Sequence, residues 1–383
     1  SSHFPPRSRA HIWPPDARRR TPTSKMHPRC GYALSRAVPA LRHACGLPTA
    51  PALRQRAVAG TMRGAATERS GMTEAMYNWR VVAIMNALKE RGKETGDLTV
   101  EDLTALGHLD QYHYLGVEAN DHVIELLGLD ESVHVLDIGS GIGGPARYIA
   151  AKSGCTITGV ELQEDICVAG QELTARVPGL ADRVSFQVGD IIAMSKAGKI
   201  AQESFDHFMS LLVFLHIPDR PALLKACFDA VKPGGTFIIE DFAAKPGKAF
   251  TEQEKGWLLD VVSAPNVSTP ETYAKDLEAA GFVDIELVDL SGIWQKWTKA
   301  RHVLYRESEE ETVKTQGKAV FESRVKFYEV IDKLFEGNLG GLRITGRKPS
   351  PLEARLLEGR KKDLGSTGGV VNVVEGKTRQ RVL

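Results

Sequence analysis

Val133-His134-Val135-Leu136-Asp137-Ile138-Gly139-Ser140-Gly141-Ile142-Gly143-Gly144 is the stretch from which the rest of the chain is read. Val135, Leu136 and Ile138 are aliphatic or β-branched strand formers. Asp137 interrupts them, and glycines follow at 139, 141, 143 and 144. Without a Cβ the backbone turns sharply and lets a ligand approach closely. Pro145 falls where a first helical turn accepts it, and a helix is expected over Ala146 to Lys152. Strand, glycine loop and helix in that order form a nucleotide-type pocket at the carboxyl end of the strand.

A glycine loop by itself serves equally well as a plain turn. Asp137 changes the reading through its charge. Loops that cradle pyrophosphate bring anionic oxygens to a helix N-terminus, and a carboxylate two residues before the first glycine repels them. A ligand with an ammonium group and no phosphate is favoured instead. S-adenosylmethionine, an α-amino acid and a sulfonium joined to adenosine, is such a ligand.

The surrounding composition is that of a globular chain with an unusual leader. Of 383 residues, 42% are hydrophobic and 25% charged, an ordinary balance, and the net charge is +1. The charge is unevenly spread. Residues 1–67 hold twelve Lys/Arg against one acid, Asp16, so the remainder carries −10. From Met26 to about Arg63 there is no acid at all, with arginines set among Ala, Leu, Ser and Pro. That composition reads as a transit peptide for a mitochondrion or plastid, the plain alternative being a disordered basic tail on a cytoplasmic protein. It does not read as a nucleic-acid-binding domain. No apolar run approaches the length of a membrane span. Cysteines 30, 45, 155, 167 and 227 show neither CxxC nor metal-ligand spacing, so free thiols in a reducing compartment and no metal are expected.

Outward from the glycine loop, the pattern is an alternation of strands and helices. On the N-terminal side, a helix is expected at 73–92, open to a role as a lid or a homodimer contact. Thr99 with Asp102 resembles a capping box, Asp110 to Gly116 is an aromatic turn, and Glu118 to Leu127 is a helix. Downstream, strands are expected at Thr156–Val160, Val184–Val188, Phe205–Leu212 and Thr236–Glu240. Helices are expected at Asp165–Arg176 and Arg220–Val231, with Lys232-Pro233-Gly234-Gly235 as a turn. Helices at about 251–263 and 270–280, a strand Val283–Val288, a mostly helical stretch 291–336 and a last strand Leu339–Gly346 follow. Three domains of behaviour result: a basic leader at 1–70, a folded domain at 72–348 with a cap insertion at about 291–336, and a loosely ordered tail at 349–383.

Acids stand at the carboxyl ends of three successive strands. Glu161 ends the second, 24 residues after Asp137, where an acid accepts hydrogen bonds from ribose hydroxyls. Asp190 follows the third and is placed to accept from an adenine amino group. One such acid is often a solvated loop charge; three beside a glycine loop form a site.

These residues carry a resemblance. Leu136-Asp137-Ile138-Gly139-Ser140-Gly141-Ile142-Gly143-Gly144, Gly159-Val160-Glu161, Gly189-Asp190 and Lys232-Pro233-Gly234-Gly235 resemble class I S-adenosylmethionine-dependent methyltransferases, over residues 110–348. The resemblance implies an α/β, Rossmann-like seven-stranded sheet of six parallel strands and a last antiparallel one, with N-terminal helices and a helical cap. Gly-Gly-Pro-Ala-Arg147, Leu212-Val213-Phe214-Leu215-His216 and the aromatic insertion are similar to the small-molecule branch, with its sarcosine/dimethylglycine and phosphoethanolamine N-methyltransferases. In the phosphoethanolamine enzymes a histidine matched by His216 pairs with a tyrosine. Here Thr99 to Leu109 holds no tyrosine, and neither Phe242 nor Ser263 to Thr269 supplies the arginine expected to hold a phosphate.

The resemblance implies S-adenosylmethionine as cofactor, held by Tyr114, Asp137, Gly139, Ser140, Gly141, Gly143, Glu161, Leu162, Gly189, Asp190, Ile191 and Leu211. His216 is the expected catalytic residue, able to take a proton near neutral pH, or else an orienting core histidine. Tyr112, His113, Trp294 and Trp297 are the expected substrate contacts. Trp294 and Trp297 are three apart on a helix, so a cation–π role and a plain core stripe read alike. The expected activity is methyl transfer to a small amine. Sulfur or sterol/quinol carbon acceptors, a non-catalytic cofactor-binding protein and a dinucleotide oxidoreductase are the alternatives.

Overall fold

A computed structural model of the chain describes residues 79–364 and 373–376. The leader at 1–70 and the first residues of the expected helix at 73–92 lie outside the described residues. The described chain begins in helix α1 (Trp79–Glu90), followed by α2 (Val100–Thr104) and α3 (Val117–Leu127). The Thr99 hydroxyl accepts from the amide of Asp102 while the Asp102 carboxylate accepts from the amide of Thr99, so the capping box is complete.

Strand β1 (His134–Ile138) leads through the glycine loop into α4 (Gly144–Ser153). Successive β1 side chains point to opposite faces of the sheet. Val135 joins the core under α1 to α4, while Leu136 and Ile138 join the core on the other face. The alternation continues with β2 (Thr156–Glu161), α5 (Glu164–Ala175), β3 (Val184–Val188), α6 (Ile191–Lys196), β4 (Phe205–Leu211), α7 (Arg220–Ala230) and β5 (Val231–Ala244). After β5 come α8 (Glu252–Asp260), α9 (Pro270–Ala280), β6 (Val283–Asp289), the helices expected to form a cap, α10 (Ser291–Glu307), α11 (Glu309–Gln316) and α12 (Lys318–Glu336), none of whose residues lines the cleft described below, and β7 (Leu339–Arg347).

The main sheet has the order β3-β2-β1-β4-β5-β7-β6. Strands β1 to β5 pair in parallel, and β7 runs antiparallel to both β5 and β6. This is the Rossmann-like sheet of six parallel strands and one antiparallel strand. The order reverses at β1, which places the crevice for a ligand beyond the carboxyl ends of β1 and β4. The second core face is held by rings: Phe208 stacks on Phe237 at 4.9 Å, and Phe237 meets Phe282 edge-on at 4.8 Å.

Two elements differ from the sequence expectation. Lys232 to Gly235 is not a separate turn before β5. It is an irregularity within the strand, whose register with β4 jumps from Phe205↔Val231 to His207↔Thr236. Part of the tail at 349–383 is regular: α13 (Pro351–Leu364) follows β7, and β8 (Val373–Glu375) adds an eighth strand parallel to β6. Among the described residues no helix is long and apolar enough to cross a membrane, and no group of side chains is arranged to hold a metal ion. Cys155, Cys167 and Cys227 are free and buried.

Candidate active site

A cleft opens beyond β1, β2 and β4. Its lining includes Asp137, Gly139, Ser140 and Gly141 of the glycine loop, Glu161, Leu162, Gly189, Asp190 and Ile191 from the next two strand ends, and Leu211 and His216 after β4. Tyr112 and His113 enter from the loop between α2 and α3.

The glycines do different jobs. Gly141 has φ +54° and open space where a Cβ would project, so its backbone faces the cleft directly. Gly143 (φ +82°) is not among the lining residues. A Cβ there would run into the Phe186 ring and the Arg147 guanidinium, so it serves helix entry. Gly144 lets the carbonyl of Asp110 lie against the start of α4.

The acids are oriented by the loop they serve. Glu161 accepts from the amides of Gly141 and Gln163, each at 2.9 Å, which ties the end of β2 to the glycine loop. Burial still pushes its carboxyl up, against those backbone donors. Asp190 uses one oxygen at 2.8 Å to cap α6 through the amide of Ala193. Asp137 is 4% exposed, and its Oδ2 has no hydrogen-bond partner among the described residues. Burial, reinforced by the neighbouring Glu161 charge, pushes its carboxyl up to about 7. The Ser140 hydroxyl beside it is also buried without a partner.

Beneath the loop lies a pin that joins both walls. Arg147 is 1% exposed. One terminal nitrogen donates to the Ile142 carbonyl at 2.7 Å and reaches the Gly170 carbonyl and Thr174 hydroxyl, while the other donates to Asp110 at 2.6 Å. Gln111 donates to the second oxygen of Asp110 and accepts from Asn120, each at 2.7 Å. The loop carrying Tyr112 and His113 is thereby fastened to the glycine loop.

His216 sits on a 3-10 turn, Phe214–His216, after β4. Its Nδ1 donates to the Ser263 carbonyl at 2.8 Å, and burial lowers its pKa. Asp241, from β5, holds this turn by accepting from the amide of Leu215 at 3.3 Å and the Tyr273 hydroxyl at 3.1 Å. Leu212 (φ +58°) and Ser263 (φ +56°) flank the histidine in left-handed backbone that side chains disfavour. Such strain collects where surrounding structure fixes a working geometry.

Three expected contacts lie elsewhere. Tyr114 packs against Phe242, Trp294, Trp297 and Phe335, with Trp294 edge-on at 5.0 Å. Trp294 is fully buried in that cluster and Trp297 half-buried beside it. None of the three lines the cleft; they are the core that seats the cap on β5 and β7. Conversely, Arg80 and Asp110 line the cleft without having been expected there. Arg80 is 3% exposed, donates to the Leu109 carbonyl at 2.6 Å and lies 3.9 Å over the Tyr112 ring.

Comparison with known proteins agrees with this geometry. Residues 136–239 match the family model described as a methyltransferase domain. The sheet and the glycine loop are those of the Rossmann-like methyltransferase fold, and the matched domain makes the chain similar to S-adenosylmethionine-dependent methyltransferases. More particularly, the chain is similar to phosphoethanolamine N-methyltransferases. It is 29% identical to that of Plasmodium falciparum over 52% of this chain and 72% of the relative. It is 32% identical to the Zea mays enzyme over 50% of this chain, but spans only 35% of that longer protein. Among solved structures, phosphoethanolamine N-methyltransferase 2 of Haemonchus contortus, bound to phosphomonomethylethanolamine and S-adenosylhomocysteine, superposes with a TM-score of 0.57 at 20% identity, over 66% of this chain and 61% of the other. A sarcosine dimethylglycine methyltransferase from Galdieria sulphuraria does so with 0.54 at 19% identity, over 61% and 84%. These two share the fold.

Proposed function

We propose that the chain transfers a methyl group from S-adenosylmethionine to a small-molecule amine of the sarcosine/dimethylglycine or phosphoethanolamine type. The observation that carries the cofactor half is a buried carboxylate, Asp137, whose Oδ2 meets no donor among the described residues, in the same cleft as a buried guanidinium, Arg80. The pair complements an amino-acid zwitterion: Asp137 takes the ammonium group and Arg80 suits the carboxylate. Glu161, already oriented by two amides, presents its remaining lone pairs to ribose hydroxyls, and the second Asp190 oxygen accepts from the adenine amino group. The cofactor, when bound, supplies an electrophilic methyl on a sulfonium for in-line displacement.

The residues do the rest by alignment and exclusion of water, effects worth roughly 7–11 kcal/mol in well-oriented reactions. His216 donates its Nδ1 proton to Ser263, so its Nε2 is an acceptor, suited to receive a proton or a hydrogen bond from the attacking amine. The amine reading draws on the similarity to the Plasmodium falciparum enzyme and on two neutral histidines, His113 and His216, lining the cleft. The acid-free basic leader supports import into a mitochondrion or plastid.

Two measurements test this. Calorimetric titration should show tight binding of S-adenosylhomocysteine and none of NAD; tight NAD binding reverses the cofactor assignment. A screen with radiolabelled methyl donor over glycine, sarcosine, dimethylglycine, phosphoethanolamine, thioethers and sterols should label an amine. Label on a thioether or sterol alone would move the activity to sulfur or carbon.

A further inference from the structure

His216 lines the cleft, but it is held there by a segment that does not. Ser263 to Asn266 lies in the loop between α8 and α9, and none of its residues is part of the cleft wall. Ser263 sets the ring: its carbonyl accepts from His216 Nδ1 at 2.8 Å. Its backbone is left-handed, at φ +56°, a conformation that persists only where the surroundings enforce it. Asn266 sets the backbone on both sides of the ring. Continued as a 3-10 turn, the Leu215 carbonyl would bond the amide three residues on, but that residue is Pro218, which has no N–H. The amide of Asn266 supplies the missing donor at 3.3 Å. Its side-chain Nδ2 donates to the next two carbonyls beyond the histidine, Ile217 at 3.1 Å and Pro218 at 3.3 Å.

Asn266 is itself fixed from behind. Arg220, 3% exposed, donates to its carbonyl at 2.8 Å, lies 3.7 Å from the Asp241 carboxylate and stacks 4.1 Å from the centre of the Tyr273 ring. Asp241 accepts from the Leu215 amide, so the network closes on the turn from which it started. The His216 ring and the backbone that carries it are thus held by two residues three apart in one loop. We propose that Asn266 is a positioning residue for methyl transfer, fixing through Leu215, Ile217 and Pro218 where the His216 ring meets the acceptor amine. The inference rests on the role given to His216 above. Rate is steep in such placement: a displacement of about 1 Å can cost roughly a hundredfold. Loosening Asn266 moves the ring without removing any group that lines the cleft.

The test is a double-mutant cycle in the full chain, with S-adenosylmethionine and an amine that must lose a proton. Asn266→Ala removes the side-chain donor, and Asn266→Asp keeps the shape but puts an oxygen where the donor was. Each should lower kcat by roughly tenfold or more, while the amine KM and the calorimetric affinity for S-adenosylhomocysteine change little. In the His216→Ala background neither substitution should lower kcat/KM further, because the group it positions is gone. Losses that multiply with that of His216→Ala, or Asn266 variants that turn over like wild type, would overturn the proposal and leave the role of His216 standing. Loss of S-adenosylhomocysteine binding in both variants would also overturn it, by making Asn266 a support of the whole cleft. A wild type that methylates no amine, or a His216→Ala enzyme as fast as wild type, would overturn the proposal together with the reading beneath it.

Discussion

Asp137→Asn should make the empty protein more stable and the cofactor weaker, two effects of opposite sign from one carboxylate. The folded-state pKa of Asp137 is raised from 3.8 to about 7 by burial and the Glu161 charge. A raised acid binds more protons in the folded state than in the unfolded one across that window, so its contribution to stability falls as pH rises from about 4 to about 7. At about 1.36 kcal/mol per unit, a shift of that size corresponds to roughly 4 kcal/mol of destabilisation above pH 7. The asparagine carries no charge to desolvate and should recover a large part of it, raising the melting temperature of the empty protein by several degrees at pH 8 and little at pH 4. On the proposed assignment, the ammonium group of the cofactor repays the wild type by pairing with the ionised carboxylate. Removing a hydrogen bond between charged groups costs about 1.5–3 kcal/mol, so S-adenosylhomocysteine should bind Asp137→Asn roughly ten- to a hundredfold more weakly. In the wild type, affinity should rise with pH through about 7 as the carboxylate ionises, and in the variant that slope should vanish. Scanning fluorimetry across pH and calorimetry at pH 6, 7 and 8 measure both. A pH-independent wild-type affinity, or a variant that binds as well as wild type, would refute the assignment of the ammonium group to Asp137.

Three further outcomes are expected. His216→Ala should slow turnover more on an amine that must lose a proton than on a tertiary one; equal slowing in steady-state kinetics would leave His216 an orienting group only. Asp110→Asn strands the buried Arg147 charge and should cost about 3–5 kcal/mol in urea unfolding, whereas removing the exposed Lys225–Asp229 pair, with side chains 73% and 25% exposed, should cost under about 1 kcal/mol. Trp294→Ala should cost roughly 3–5 kcal/mol of stability and leave the ratio of kcat/KM between two acceptors unchanged, because the ring is buried in the cap core; a changed ratio would put it in contact with substrate.

What could be read from the sequence divides by the range of the interaction behind it. Asp137, Glu161 and Asp190 were legible because each sits at a strand end beside a glycine, and strand periodicity is local. Their charge then selects among ligands without any coordinates. The helix at 351–364 was also legible in principle: Ser350-Pro351-Leu352-Glu353 is a capping box with proline at the first turn, and the structure makes both of its hydrogen bonds. Its polar, basic composition hid it. β8 has no such local mark, since three residues become a strand only by pairing Val373 with Leu287. Trp294 and Trp297 were ambiguous in kind: a spacing of three places two rings on one helix face, and the same face serves a core or a site. Tyr114 followed its neighbours Tyr112 and His113 in sequence but turns away from them into Phe242 and Trp294. Arg80 was out of reach altogether. Its place depends on a hydrogen bond to Leu109 and a ring at Tyr112, contacts between elements that only the folded chain brings together. The three acids that line the cleft were therefore readable as a motif. The groups facing them across the cleft depend on tertiary contacts, and their chemistry follows only once a backbone carbonyl, such as Gly116 for His113 or Ser263 for His216, decides which ring nitrogen keeps its lone pair.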